Sequence, residues 1–246
     1  MPSDVLTVEN LSRSNKQGVT PVHLAARYGC LGQIPESLFS DALLFLRADK
    51  GGWVSPFHHA ALGGFLTQIP KKYLTEKNFL TAWDSGATPL FLAASSGHLD
   101  QIPRAVLTRE NLLLPKGDNG VTPLHHAATN GQLNIIPKEL LTVSTLLTKD
   151  AKEVTPLHCA AYMGHLDQVP SVILTAENLL VVDVYGITPL HVAAQHSYLD
   201  ALLGIDFGDN AAVRSIVGDE WFEHNKEVVA AKSIEPDGDL QDIEIF

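Results

Sequence analysis

The chain repeats one pattern of apolar and polar positions six times, at intervals of 33 to 35 residues. Each copy begins with threonine or serine and proline, and continues with an apolar residue, usually a histidine, one variable residue and two alanines. A glycine follows eight residues after the proline, except that Ser197 takes its place in the sixth copy. Such self-similarity is typical of an array of stacked units. The opening pairs are Thr20-Pro21, Ser55-Pro56, Thr88-Pro89, Thr122-Pro123, Thr155-Pro156 and Thr188-Pro189.

Each of these pairs predicts the start of a helix. A residue before proline is kept out of the helical region, its hydroxyl can cap free amides, and proline at the first helical position lacks an amide that would have no partner. The histidine three residues later can reach back to the hydroxyl, as in a capping box. The alanines allow close approach of a neighbouring helix, and the glycine can end the helix in the left-handed conformation. The first half of each copy is therefore predicted to be a short, tightly packed helix.

The second half of each copy contains another proline, fourteen residues after the first in five copies and always preceded by isoleucine or valine. Proline deep inside a helix costs about 3 kcal/mol. We therefore expect a short second helix that starts near Asp100 or Asp167 and holds the proline in its first turn. Residues 107–112 and 174–179 share the pattern Leu-Thr-x-Glu-Asn-Leu. Their threonine predicts another cap, and hence a third short helical turn in each copy.

The block Thr-Pro-Leu-His-x-Ala at a period of about 33 residues resembles the ankyrin repeat. The resemblance implies an all-α, ankyrin-like helical solenoid, built as a right-handed stack of helical pairs with caps at both ends. We assign an N-terminal half-repeat cap to residues 1–14, six repeats to residues 15–204 and a helical C-terminal cap to residues 205–232. Residues 233–246 carry five acidic and no basic side chains, which predicts a flexible acidic tail.

Charge is spread unevenly along the chain. The net charge is −11, yet residues 1–199 hold 16 acidic and 14 basic side chains whereas residues 200–246 hold 12 and 3. This balance disfavours binding to nucleic acid. No apolar run approaches the roughly 18 residues needed to cross a bilayer, and the N-terminus does not resemble a secretory signal. We therefore expect a cytoplasmic protein with no membrane contact, in which Cys30 and Cys159 are small buried apolar residues.

Eleven histidines raise the question of metal binding or catalysis. Equivalent histidines of stacked helices lie about 10 Å apart, whereas zinc ligands lie roughly 2 Å from the ion. We therefore interpret the repeat histidines as structural caps, expect His98 and His165 to be local caps or surface residues, and predict no metal and no cofactor. Lys71, Lys72 and Lys77 form a basic cluster, either a solvated face or a contact for phosphate or an acidic partner.

The resemblance also implies where a partner would bind. In ankyrin repeats, partners are usually held by turn residues before the threonine and by the two residues after the alanine pair. Aromatic, methionine and arginine side chains near these positions have the character of interface hot spots. The alternative is that each aromatic packs only on an adjacent turn. The candidate partner-binding residues are Arg27, Tyr28, Trp53, Tyr162, Met163, Tyr185 and His196.

The sequence therefore predicts a non-catalytic, monomeric scaffold that binds an unidentified protein through its repeat turns and first-helix face. A second hypothesis is a regulatory or inhibitory subunit whose acidic C-terminal end contacts a basic partner. High salt distinguishes the two, because it weakens binding through the tail more than binding through aromatic contacts. A third hypothesis, a histidine-dependent hydrolase, lacks a supporting motif such as Gly-x-Ser-x-Gly or His-Glu-x-x-His.

Elemental analysis of the purified protein tests the interpretation of the histidines. Because their spacing prevents several imidazoles from reaching one ion, we expect no stoichiometric zinc or other transition metal. A chelator should leave the thermal melting curve unchanged. One bound equivalent of metal that raises the melting temperature would contradict the capping role.

Overall fold

The computed structural model describes residues 6–48 and 54–234 of the chain. Within these residues every regular element is an α-helix or a 3-10 turn, which confirms the all-α prediction. Trp53 and the acidic residues after Ile234 lie outside the described residues.

The α-helices are short and follow one another at the period of the sequence repeat. Between most of them lie 3-10 turns, at Leu31–Gln33, Glu36–Leu38, Leu66–Gln68, Lys71–Tyr73, Leu99–Gln101, Arg104–Val106, Gly117–Asn119, Leu133–Ile135, Lys138–Leu140, Leu166–Gln168, Ser171–Ile173 and Leu199–Leu202. The α-helices are α1 (Val8–Ser12), α2 (Pro21–Arg27), α3 (Asp41–Leu44), α4 (Pro56–Gly63), α5 (Glu76–Phe79), α6 (Pro89–Ser95), α7 (Arg109–Leu112), α8 (Pro123–Thr129), α9 (Val143–Leu146), α10 (Pro156–Met163), α11 (Ala176–Leu179), α12 (Pro189–Gln195), α13 (Ala211–Val217) and α14 (Asp219–Ile234).

The six helices that begin at a Thr-Pro or Ser-Pro pair form the centre of the stack. Helices α2, α4, α6, α8, α10 and α12 pack against one another in chain order, with α1 against α2 at one end and α13 against α12 at the other. The alanine pairs of the four middle helices are fully buried. The prediction that alanine permits close helix contact is therefore confirmed.

Buried histidine side chains form hydrogen bonds both to the residue that starts their own helix and to a carbonyl just before the next repeat. In α8, the backbone N–H of Thr122 donates to His125 Nδ1 at 3.2 Å, and His125 Nε2 lies 3.1 Å from the carbonyl oxygen of Val154. Because Nδ1 accepts a hydrogen bond, the proton of the neutral ring resides on Nε2 and is donated to that carbonyl. His158 makes the equivalent bonds with Thr155 and Ile187. The structure confirms the predicted capping role of these two histidines.

The isoleucine-proline segment differs from the prediction. We expected one short helix with proline in its first turn, but Ile102 ends the 3-10 turn Leu99–Gln101 in an extended conformation. Pro103 also lies outside the helical region, with φ −56° and ψ 133°, and the second 3-10 turn starts after it. The predicted helix is wrong because a residue before proline is driven out of the helical region. The third helical turn is confirmed, since Thr108 Oγ1 accepts a hydrogen bond from the N–H of Asn111 at the start of α7.

Buried asparagines tie the third helical turn to the rest of its repeat. Asn111 Nδ2 donates to the carbonyl oxygen of Val106 at 2.9 Å and to Glu76 Oε1 of the preceding repeat at 2.8 Å. Asn178 Nδ2 donates to the carbonyl of Ile173 at 2.8 Å. These hydrogen bonds link the short helix to the 3-10 turn that precedes it.

His98 and His165 are not caps of their own helices. Each precedes a 3-10 turn without making a side-chain capping bond, and its ring packs against the glycine of the preceding repeat. Gly131 has a φ of 65°, and a Cβ atom there would lie 2.9 Å from the His165 ring. Glycine is therefore required at this position for two reasons: the backbone has a positive φ, and the neighbouring ring leaves no room for a Cβ atom.

Glutamine side chains connect adjacent glycine turns. Gln101 Nε2 donates to the carbonyl of Gly64 at 2.7 Å, while its Oε1 accepts from the N–H of Leu66 at 2.9 Å. Gln132 makes the same pair of bonds one repeat later, to the carbonyl of Gly97 and the N–H of Leu99. Gln132 directly follows a glycine, whereas Gln101 lies four residues after one. The two glutamines therefore make the same pair of hydrogen bonds from different positions of the repeat.

Two helices follow the last repeat. Val213 of α13 and Phe222 of α14 are buried against the stack, and Gly218 separates the two helices. The Arg214 guanidinium lies 2.9 Å from Asp219 and 4.4 Å from the centre of the Phe222 ring. Helix α13 packs on α12, and α14 packs on α13, so that the last repeat is covered.

Replacing Asn111 with alanine should lower the free energy of unfolding by about 1 to 2 kcal/mol, because the Val106 carbonyl loses one of its two donors and keeps only the N–H of Thr108. Asn178→Ala is the matched control, since that side chain makes the same bond within its repeat. We expect the control to cost less, because Asn111 also binds Glu76. Urea denaturation of both variants measures the difference. Equal costs would mean that the bond to Glu76 contributes nothing.

Acidification should destabilise the fold between about pH 6.5 and pH 4. Burial lowers the pKa of His58 to about 4, and also lowers those of His125 and His158. The unfolded chain binds protons below its histidine pKa of about 6.5 while the folded chain does not, so the free energy of unfolding falls as pH decreases through this window. Urea denaturation between neutral pH and about pH 5 measures the slope.

His58→Phe supplies the control for this slope, since phenylalanine occupies the equivalent position at Phe91. The variant should retain more of its stability on acidification than the original chain does. Identical slopes for the two proteins would show that His58 does not take part in the pH dependence.

Candidate functional site

A groove lies on the surface between α10 and α12, with a volume of about 350 Å³. Both helices contribute to it, together with the turns that precede them. Its walls are mainly apolar and aromatic, as is typical of binding grooves. The side chains used below are Val154, Cys159, Tyr162, Met163, Ile187, Val192 and His196.

Small side chains at the variable position of the repeat leave room for the groove. This position follows the histidine directly, so its side chain points about 100° away from the imidazole around the helix. It holds Cys159 in α10 and Val192 in α12, but the larger Leu92 in α6 and His126 in α8. The groove thus lies where two small variable residues come from adjacent helices.

Aromatic rings form one edge of the groove. The Tyr162 and His196 rings meet edge to face with their centres 4.8 Å apart, and the Tyr198 ring stacks on His196 with the centres 6.0 Å apart. Tyr162 nevertheless exposes 57% of its surface and the neighbouring Met163 42%. This edge therefore exposes apolar surface to solvent next to the groove.

The turn before α12 carries the opposite edge. Asp183 Oδ1 accepts hydrogen bonds from the N–H groups of Tyr185 and Ile187, at 2.8 and 2.9 Å. This arrangement fixes the turn and leaves Tyr185 at its tip with 72% of its surface exposed. The N–H of Val184 also donates to the carbonyl of Lys152 in the preceding turn, at 3.0 Å. The two turns are therefore held together next to the groove.

Asp183 is the one charged side chain among the described residues that line the groove. The carboxylates of Asp183 and Asp150 both act on the nearby His158 ring, but burial is the larger effect and lowers the pKa of His158. Asp150 holds its own turn in the same way, with Oδ1 accepting from the N–H groups of Lys152 and Val154. The edge of the groove is therefore negatively charged at neutral pH, while His158 is neutral.

The adjacent His158 and Cys159 do not form a catalytic pair. Both ring nitrogens of His158 are engaged, Nδ1 at Thr155 and Nε2 at the Ile187 carbonyl. Burial raises the pKa of the Cys159 thiol to about 11, so that it stays protonated at neutral pH and is a weak nucleophile. The expectation that both cysteines are buried is met only in part, because Cys30 and Cys159 are each half-buried free thiols.

The structure divides the candidate partner-binding residues into two groups. Tyr162, Met163 and His196 line the groove, and Tyr185 lies on the turn that borders it. Arg27 and Tyr28 lie at the end of α2, which is separated from α10 by α4, α6 and α8 in the stack. There the Arg27 guanidinium lies 5.9 Å from the centre of the Tyr28 ring.

Sequence reasoning missed three residues that shape the groove, namely Cys159, Asp183 and Val192. The signal for Cys159 and Val192 was their small size at the variable position, which is larger in the other repeats. Asp183 could have been found as an acidic residue that both caps its turn and lies beside the exposed Tyr185.

No cluster of three or more histidine, cysteine or acidic side chains suited to a metal ion occurs in the described part of the chain. None of the helices in residues 6–48 and 54–234 is long and apolar enough to cross a membrane. In the basic cluster, Lys71, Lys72 and Lys77 are exposed, and the Lys72 ammonium lies 5.1 Å from the centre of the Tyr73 ring.

Comparison with known proteins agrees with the repeat architecture. A family model described as ankyrin repeats (3 copies) matches residues 105–175 and 139–210. No curated protein matches the chain. The matched residues contain α8, α10 and α12 together with the groove between the last two. The family match over residues 105–210 and the stacked helical repeats support an ankyrin-repeat protein.

Proposed function

We propose that the chain is a non-catalytic scaffold that binds a protein partner at the groove between α10 and α12. One observation carries the proposal: exposed apolar side chains gather around an open groove, at Tyr162, Met163, Tyr185 and Ile187. Contiguous exposed apolar surface marks interaction sites, and tyrosine and methionine are common at such contacts. Ankyrin repeats are in general protein-interaction modules, which supports the same role here.

The residues of the groove are better suited to binding than to chemistry. The imidazole of His158 is committed to two structural hydrogen bonds, and the Cys159 thiol is protonated. Tyr162, Tyr185 and Met163, by contrast, offer large exposed surfaces that a partner can cover. We assign partner binding to Tyr162, Met163, Tyr185 and His196, and a separate contact surface to Arg27 and Tyr28.

The alternative role for the acidic C-terminal end depends on residues 235–246, which lie outside the described residues. It stays a prediction, as do the cytoplasmic location and the monomeric state. Our proposal needs none of these three, because the groove is formed within one chain by α10, α12 and their turns.

Alanine at both Tyr162 and Tyr185 should weaken partner binding by about 2 kcal/mol or more, the scale of interface hot spots. Val172→Ala is the control, since Val172 is also an exposed apolar residue but lies in the 3-10 turn Ser171–Ile173, outside the groove. Quantitative mass spectrometry of proteins retained by each immobilised chain measures the effect. We expect the original chain and the control to retain proteins that the double variant loses.

Thermal melting of the three proteins accompanies this measurement, because Tyr162 also contacts His196. Equal retention by all three chains, with a lower melting temperature for the double variant, would contradict the proposal. It would show that these tyrosines only pack and that the partner binds elsewhere.

A further inference from the structure

We propose that the groove between α10 and α12 receives a basic segment of another protein, with an apolar side chain in the groove and a neighbouring lysine or arginine beside Asp183. This inference rests on the proposed function and specifies the chemistry of the partner. It follows from the size of the groove, from the rigidity of its edges and from the sign of its charge.

The size and lining of the groove suit an apolar side chain. Its volume of about 350 Å³ is at the lower end of the range for ligand-binding pockets. Val192 and Cys159 contribute apolar surface from the two helices, and Ile187 contributes it from the turn. An aliphatic or aromatic anchor that fills such a cleft is the usual centre of a binding hot spot.

The edges of the groove are held in place before any partner arrives. His158 Nε2 donates to the carbonyl of Ile187, and Asp183 Oδ1 accepts from two N–H groups of the same turn. On the other edge, the Tyr162 ring is in contact with His196. Binding to a preorganised cleft avoids the entropy cost of ordering its walls.

The negative charge at the groove favours a partner with a lysine or arginine next to the apolar side chain that enters the groove. One oxygen of Asp183 fixes the turn, and the carboxylate borders the groove without an ion pair in the described structure. In the preceding turn, Lys149 is paired with Glu153 at 2.6 Å. A lysine or arginine of a partner can therefore approach Asp183 without displacing an existing cation.

The same charge argues against two other occupants. Residues 200–246 of this chain carry 12 acidic and 3 basic side chains, so the C-terminal end would meet the acidic edge with like charge. A second copy of the chain, with a net charge of −11, would face the same repulsion. A basic segment of a different protein is the occupant that complements both the apolar cleft and its acidic edge.

Selection of random peptides displayed on phage, with the full chain as the target, tests this inference. We expect the enriched peptides to share an apolar residue next to lysine or arginine. Synthetic copies of an enriched peptide are then titrated by fluorescence polarisation at low and high salt. Affinity should fall as salt increases, because the contact with Asp183 is exposed to solvent.

Two pairs of variants locate the contact. Val192→Gln should weaken binding about tenfold by placing a polar group in the groove, whereas Leu24→Gln changes the same position of the first repeat and should have no effect. Asp183→Asn should weaken binding severalfold and reduce its dependence on salt. It preserves the turn, because Asn15 accepts the equivalent two N–H bonds in the first repeat. Asp206→Asn, at another turn outside the groove, is its control.

The possible outcomes distinguish a failure of this inference alone from a failure of the proposed function as well. Enriched peptides that are acidic or uncharged, yet lose affinity with Val192→Gln, would overturn the basic partner while supporting binding at the groove. Peptides that bind all four variants equally, or no enrichment at all, would overturn both. Thermal melting confirms that each variant is folded, and Tyr162→Ala provides a second test of the groove if Val192→Gln is unstable.

Discussion

The hydrogen bonds of one buried imidazole link the order of the repeats to the position of the groove. At His158, Nδ1 fixes the start of α10 and Nε2–H holds the carbonyl of Ile187 in the following turn. That turn carries Asp183 and Tyr185. The histidine therefore sets the distance between a helix and the next turn, and the groove occupies the space between them. Protonation of the ring would remove the bond from the N–H of Thr155, because a protonated Nδ1 no longer accepts a hydrogen bond.

The first helix of each repeat could be predicted from sequence because its signals are local. Threonine, proline, histidine and glycine each act within a few residues, and the structure places them as expected. The isoleucine-proline segment was predicted wrongly: we placed the proline in the first turn of a helix, whereas Pro103 lies between two 3-10 turns because the residue before it avoids the helical region. Asn111 was missed for another reason: its partner Glu76 lies 35 residues away, in the preceding repeat.

The candidate site was predicted only in part. Tyr162, Met163 and His196 were found because they occupy positions that vary between repeats, and they line one groove. We did not predict that Tyr28 lies far from these residues, although this follows from the stacking of the repeats in chain order. The groove itself depends on the space left by Cys159 and Val192, a property of two side chains on different helices that no local pattern reports.

The glutamines that connect the glycine turns also bear on how such an array can be rearranged. Gln132 binds Gly97 and Leu99, which belong to the repeat before its own, and it does so from a position that Gln101 does not use. The groups that these glutamines bind are main-chain carbonyl and N–H groups of a glycine turn. The first five repeats all have this glycine, so exchanging whole repeats among them would still offer each glutamine a main-chain partner. The junction therefore depends on a glutamine in the following repeat, at either of two positions, and not on which repeat precedes it.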